Sequence, residues 1–99
     1  MQSTQRVWQI SSPGEILQVS WEDEERVIYH TGTGDTHLVN NTSWYLISSL
    51  GKMGSADSKE LCELIGEYLD TSPDGDLLRD LEKLLFELAG IGLIEQTVL

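Results

Sequence analysis

Basic residues are scarce in this sequence. Six lysines and arginines stand against 17 aspartates and glutamates in 99 residues, for a formal net charge of −11. Such a field repels phosphate backbones and anionic membranes, so nucleic-acid and membrane surfaces are poor partners. A basic peptide or basic protein is the complementary partner. Cysteine is nearly absent too: Cys62 stands alone, which excludes an internal disulfide. It lies in a helical pattern between Leu61 and Glu63 and reads as a buried structural thiol. No run approaches 18 apolar residues, which excludes an apolar membrane-spanning helix. The segment Met1-Gln2-Ser3-Thr4-Gln5-Arg6 has no apolar stretch of signal-peptide type, so the expected compartment is the cytoplasm.

What is present is enough to fold. The apolar fraction is 39%, and a chain of this size buries roughly 65% of the surface its unfolded form exposes. One domain spanning residues 1–99 is the expectation, without repeats, low-complexity runs or a linker.

Arg6-Val7-Trp8-Gln9-Ile10 alternates as a short strand, broken by Ser11-Ser12-Pro13-Gly14. Ile16-Leu17-Gln18-Val19-Ser20-Trp21 resumes as a strand, and Glu22-Asp23-Glu24-Glu25 reads as a solvated hairpin tip. Residues 26–30 form the next strand. Thr31-Gly32-Thr33-Gly34-Asp35 supplies residues tolerant of positive φ, and residues 36–40 return antiparallel. In an even register Ile28, His30, His37 and Val39 share one face, with Val27, Tyr29, Thr36 and Leu38 on the other.

Asn41, Thr42 and Ser43 are natural caps for a helix carrying Trp44, Leu46, Ile47 and Leu50, closed by Gly51 or Gly54. Asp57-Ser58-Lys59-Glu60 fits a capping box before Leu61, Leu64, Ile65 and Tyr68. After Thr71-Ser72-Pro73-Asp74-Gly75 a third helix carries Leu77, Leu78, Leu81, Leu84, Leu85 and Leu88, ending at Gly90 and Gly92. Leu93 and Ile94 are expected to tuck against the core. The six leucines span roughly 120° of the helix, wide enough to leave one edge as an open groove. Phe86 lies on the far side near Arg79 and Lys83 and points to a dimer or protein contact. The expected fold class is α+β: a winged helix-turn-helix with a three-stranded antiparallel sheet, three helices after it, and an extra short N-terminal strand.

No catalytic cluster is legible. If His30 and His37 face each other across the hairpin they invite a metal, but a zinc site wants three or four ligands, and only Asp35, Glu24 or Glu25 stand near. The glycines at 32 and 34 match no phosphate-cradling motif, since no helix start follows them directly. Cys62 has no imidazole at a telling spacing. The expectation is a non-enzyme without metal or cofactor. A DNA reader would send the third helix into a major groove. That helix carries Asp74, Asp76, Asp80, Glu82 and Glu87 against Arg79 and Lys83, a local balance of −3. Charge opposes that use.

Trp8 with Ser12-Pro13-Gly14, Val27-Ile28-Tyr29, Gly34-Asp35-Thr36-His37-Leu38-Val39-Asn40 and Leu85-Phe86-Glu87-Leu88-Ala89-Gly90-Ile91-Gly92-Leu93-Ile94-Glu95 resemble the PqqD-like peptide chaperones. The resemblance covers residues 8–95, and the Gly-Asp-Thr-His stretch is most similar to the bacterial branch found beside an HPr-kinase-related protein. It implies a winged-helix recognition element for ribosomally made, later modified peptides. A leader peptide would add as a further strand on an edge strand at 35–40, against a third helix at 76–89. By that implication Thr36, Leu38 and Asn40 pair with the guest backbone, and Leu77, Leu81 and Leu84 line the wall; Leu78 and Leu85 are the alternative flank. The chain would then be a non-catalytic adaptor presenting a peptide or protein segment to a partner modifying enzyme. The alternatives are a structural subunit of an HPr-kinase-related complex and a winged-helix transcription regulator.

Overall fold

The β-branched run around the Gly32–Gly34 turn folds as the sequence pattern requires, and the rest of the chain is arranged about it. The computed structural model describes residues 6–12, 14–22 and 25–98. Its elements run β1 (Arg6–Ile10), β2 (Ile16–Glu22), β3 (Glu25–His30), β4 (Thr36–Asn40), α1 (Asn41–Met53), α2 (Ser58–Leu69), α3 (Gly75–Gly90) and β5 (Ile94–Val98). The class is α+β. An antiparallel sheet ordered β2-β3-β4 precedes three helices, in winged-helix order. The extra strand β1 pairs antiparallel with β5, from Arg6 opposite Val98 to Ile10 opposite Ile94.

Strand β5 corrects the expectation for the C-terminus. Leu93 and Ile94 are buried as expected, but the chain then continues as a strand. Pro13 and the tip residues Asp23 and Glu24, assigned to turns above, lie outside the described residues; Glu22 and Glu25 pair across that tip.

Each helix begins where a short polar side chain satisfies a free amide. Asn40 accepts from the Ser43 N–H at 2.8 Å, so the first cap falls one residue before the expected trio. Asp57 and Glu60 form the capping box reciprocally, and Asp74 accepts from the Leu77 N–H at 3.0 Å. Gly51 lies inside α1; Gly54, at φ 85°, closes it.

The core joins both sheets to the helices. Trp8, Ile28, Val39, Leu46, Leu50, Leu61, Ile65, Leu81, Leu85, Leu88 and Ile94 belong to one buried cluster. Trp8 organises one side of it. Its backbone exchanges hydrogen bonds with Ala56 at 2.8 and 3.1 Å, and its indole N–H donates to Ser58 Oγ at 3.1 Å. Strand β1 is thereby clipped to the start of α2. No helix among the described residues is long and apolar enough to cross a membrane.

Candidate functional site

The hairpin register places Ile28 opposite His37, Arg26 opposite Val39, Val27 opposite Leu38 and Tyr29 opposite Thr36. Ile28, His30, His37 and Val39 therefore share the inner face, and Val27, Tyr29, Thr36 and Leu38 the outer one. Hydrogen bonds at the turn fix which amides point where. The His30 N–H donates to the Asp35 carbonyl at 3.0 Å, and the Thr31 N–H to the Glu15 carbonyl at 2.9 Å. Even-numbered residues of β3 thus bond to β4 and odd-numbered ones to β2. By antiparallel alternation His37 and Val39 spend their backbone groups on β3, while the amides of Thr36 and Leu38 face away from the sheet.

That outward edge has no strand partner among the described residues. The sheet's other edge, β2, is equally terminal but interrupted, with a register shift between Gln18 and Ser20. A bulge of that kind is a common guard against edge pairing. Strand β4 has no shift, no proline and no charged residue; lysine and arginine are absent from 27 to 51. Leu38 is 63% exposed on its outer face.

A histidine lock holds this edge in place. His30 is 1% exposed, and its Nδ1 accepts from the N–H groups of Gly32 and Thr33, both at 3.1 Å. Its Nε2 then carries the proton and donates to the Ser11 carbonyl at 2.8 Å. One imidazole therefore pins the β3–β4 turn to the end of β1. Gly14 (φ 135°) packs so closely that a Cβ there would sit 2.5 Å from the Gly32 nitrogen. His37, by contrast, has a buried Nε2 with no hydrogen-bond partner among the described residues. The two imidazoles belong to no group of three or more metal-ligating side chains there.

Asn40 has a different position from Thr36 and Leu38. Its side chain caps α1, and its carbonyl enters that helix, so its N–H is the backbone group it can offer at the edge.

The leucines of α3 divide by neighbour. Leu81, at 3% exposure, and Leu85 and Leu88 are in the core. Leu78 flanks a hollow of about 230 Å³ with Cys62 and Pro73, so its side of the helix faces α2. Phe86 touches Trp8 edge-on, ring centroids 5.2 Å apart, and is still 58% exposed. The flank turned away from α2 and β1 carries Leu77 and Leu84, both half-buried against the core. Leu81 lies between them, one layer deeper.

Burial pushes the Cys62 thiol above its ordinary value, with Asp74, Glu63 and Glu82 adding to the rise, so it is a poor nucleophile at neutral pH. A hollow of about 880 Å³ is open and edged by Glu63, Glu67 and Asp70, with no histidine or cysteine in its lining. A smaller one of about 380 Å³ between α1 and β2 has Trp44, Ile47 and Ile16 for walls and Glu15, Ser48 and Lys52 among its lining, with the Ser48 hydroxyl donating to the Tyr45 carbonyl at 3.2 Å.

No family model matches the chain, and no curated protein matches it. Among solved structures it superimposes on TbiB1 in complex with the TbiA(beta) leader peptide, with a TM-score of 0.64 and 23% sequence identity. The match covers 88% of this chain and 94% of that one. At that identity the likeness is one of fold.

Proposed function

We propose that this chain is a non-catalytic peptide-binding adaptor, which takes an extended segment as a fourth strand beside β4 and presents it to a partner modifying enzyme. The observation that carries the reading is the regular, uncharged and unpaired edge of β4, with the amides of Thr36 and Leu38 directed outward. An edge of this sort attracts backbones and is usually guarded. Here it is β2 that has the bulge. In strand addition, main-chain hydrogen bonds supply affinity and side-chain pockets supply choice. Thr36 and Leu38 give the first, joined by the Asn40 N–H; Leu77 and Leu84 give the second, backed by Leu81. The fold shared with a protein solved together with a leader peptide supports the same assignment. The resemblance to the branch beside HPr-kinase-related proteins makes such a protein the first enzyme partner to test.

The test is selection followed by mapping. A displayed library of random twelve-residue peptides is panned against the protein, and an enriched peptide is titrated into the ¹⁵N-labelled chain. The expected result is a joint shift of the Thr36, Leu38, Leu77 and Leu84 amides. Shifts confined to the β1–β5 sheet would place binding elsewhere and overturn the assignment.

A further inference from the structure

The two flanks of α3 differ in charge as well as in cover. Asp80 follows Leu77 by three residues and precedes Leu84 by four, and Glu87 follows Leu84 by three. At helical spacing both carboxylates lie about 40–60° around the axis from Leu84, on the side away from the core. Both are exposed. Asp76, one turn earlier, is paired with Arg79, whereas Asp80 and Glu87 have no ion pair among the described residues. Lys83, three residues after Asp80 and four before Glu87, lies beside both on the outer side of the helix but forms an ion pair with neither, so the trio keeps a net negative charge. Asp35 adds a third exposed carboxylate at the start of β4, and no lysine or arginine lies between residues 26 and 52 to balance it.

We infer that the segment received at the β4 edge is basic, with alternate apolar side chains against Leu77 and Leu84 and lysines or arginines against Asp80 and Glu87. This inference rests on the strand-addition reading above and names the chemistry of its guest. Charge favours that guest over a second copy of the chain, because two copies at −11 each repel on approach. The alternation fits an extended guest, whose neighbouring side chains point to opposite sides.

Two synthetic twelve-residue peptides serve as probes, one alternating valine with lysine and the other valine with glutamate. Each is titrated into the ¹⁵N-labelled full chain at low salt. The lysine peptide is expected to shift Thr36 and Leu38 and the glutamate peptide to leave them unmoved. Asp80→Asn with Glu87→Gln should weaken the lysine peptide by roughly three- to tenfold, an effect that fades at about 1 M salt. Glu63→Gln with Glu67→Gln changes net charge equally on the exposed face of α2 and should leave the affinity unchanged. Equal binding of both peptides at the β4 edge would overturn the basic-guest inference and leave strand addition standing. The basic-guest inference fails in the same way if the α2 pair weakens binding as much as the α3 pair. Failure of both peptides to move Thr36 and Leu38 would overturn the inference together with the reading beneath it. A dimer in sedimentation velocity that buries those amides would give the edge to a second copy and overturn it as well.

Discussion

Proline placed at position 37 and at position 38 tests the polarity of β4, because the two sites differ in what their N–H groups do. Proline removes that donor. Alternation from the His30–Asp35 bond directs the His37 N–H to the carbonyl of Ile28, a fully buried residue, while the Leu38 N–H points off the sheet. Loss at 37 forfeits one ladder bond and strands a buried carbonyl, together about 2–3 kcal/mol. Loss at 38 forfeits no intramolecular bond and should cost under about 0.5 kcal/mol by the same reckoning. Side-chain truncation and the strain of fixing φ in a strand apply to both sites. Each proline variant is therefore compared with alanine at the same position. In urea unfolding, the gap between His37→Pro and His37→Ala should exceed the gap between Leu38→Pro and Leu38→Ala by about 1–2 M in midpoint. Equal losses at the two positions, or the reverse order, would refute the assignment of outward amides.

Three further outcomes follow from packing and protonation. Gly14→Ala places a Cβ 2.8 Å from His30 Cε1 and 2.5 Å from the Gly32 nitrogen at φ 135°, and should cost about 2–4 kcal/mol in thermal unfolding. Leu85→Ala empties a fully buried site and should cost about 3–5 kcal/mol, whereas Phe86→Ala loses mainly its edge contact with Trp8, about 0.5–1.5 kcal/mol. Cys62 should react with a thiol reagent at least roughly a thousandfold more slowly in the folded chain than in urea. Because burial raises its folded pKa above the ordinary 9.0, the unfolded thiol ionises first. Its contribution is then intact below about pH 9 and is lost as pH climbs through the folded value, a decline that Cys62→Ala should lack.

Much of this architecture was legible in the sequence because local chemistry decided it. The β-branched runs around Gly32 and Gly34 give the hairpin and the face shared by Ile28 and Val39. The Asp57–Glu60 pair gives the start of α2. Strand β5 was not legible, since Glu95, Gln96 and Thr97 have no apolar run and gain strand character from pairing with β1, nearly the whole chain away. The end of α1 was ambiguous between Gly51 and Gly54 for a similar reason, as either glycine can stop a helix. The site was partly readable. Periodicity put the leucines of α3 on one arc, but which are covered depends on where α2 and Trp8 sit. Likewise the outward pointing of Thr36 and Leu38 depends on the hydrogen bonds at one turn, which residue types alone leave open. The double role of His30 as acceptor and donor has no sequence signal beyond its place before the glycine turn.

Amide hydrogen exchange along β4 in the free chain tests the central claim most directly. The account predicts slow exchange at His37 and Val39 and near-unprotected exchange at Thr36 and Leu38, an alternation that a bound guest would erase by protecting all four. Uniform protection in the unliganded monomer would mean that the edge is already occupied, and would contradict the claim.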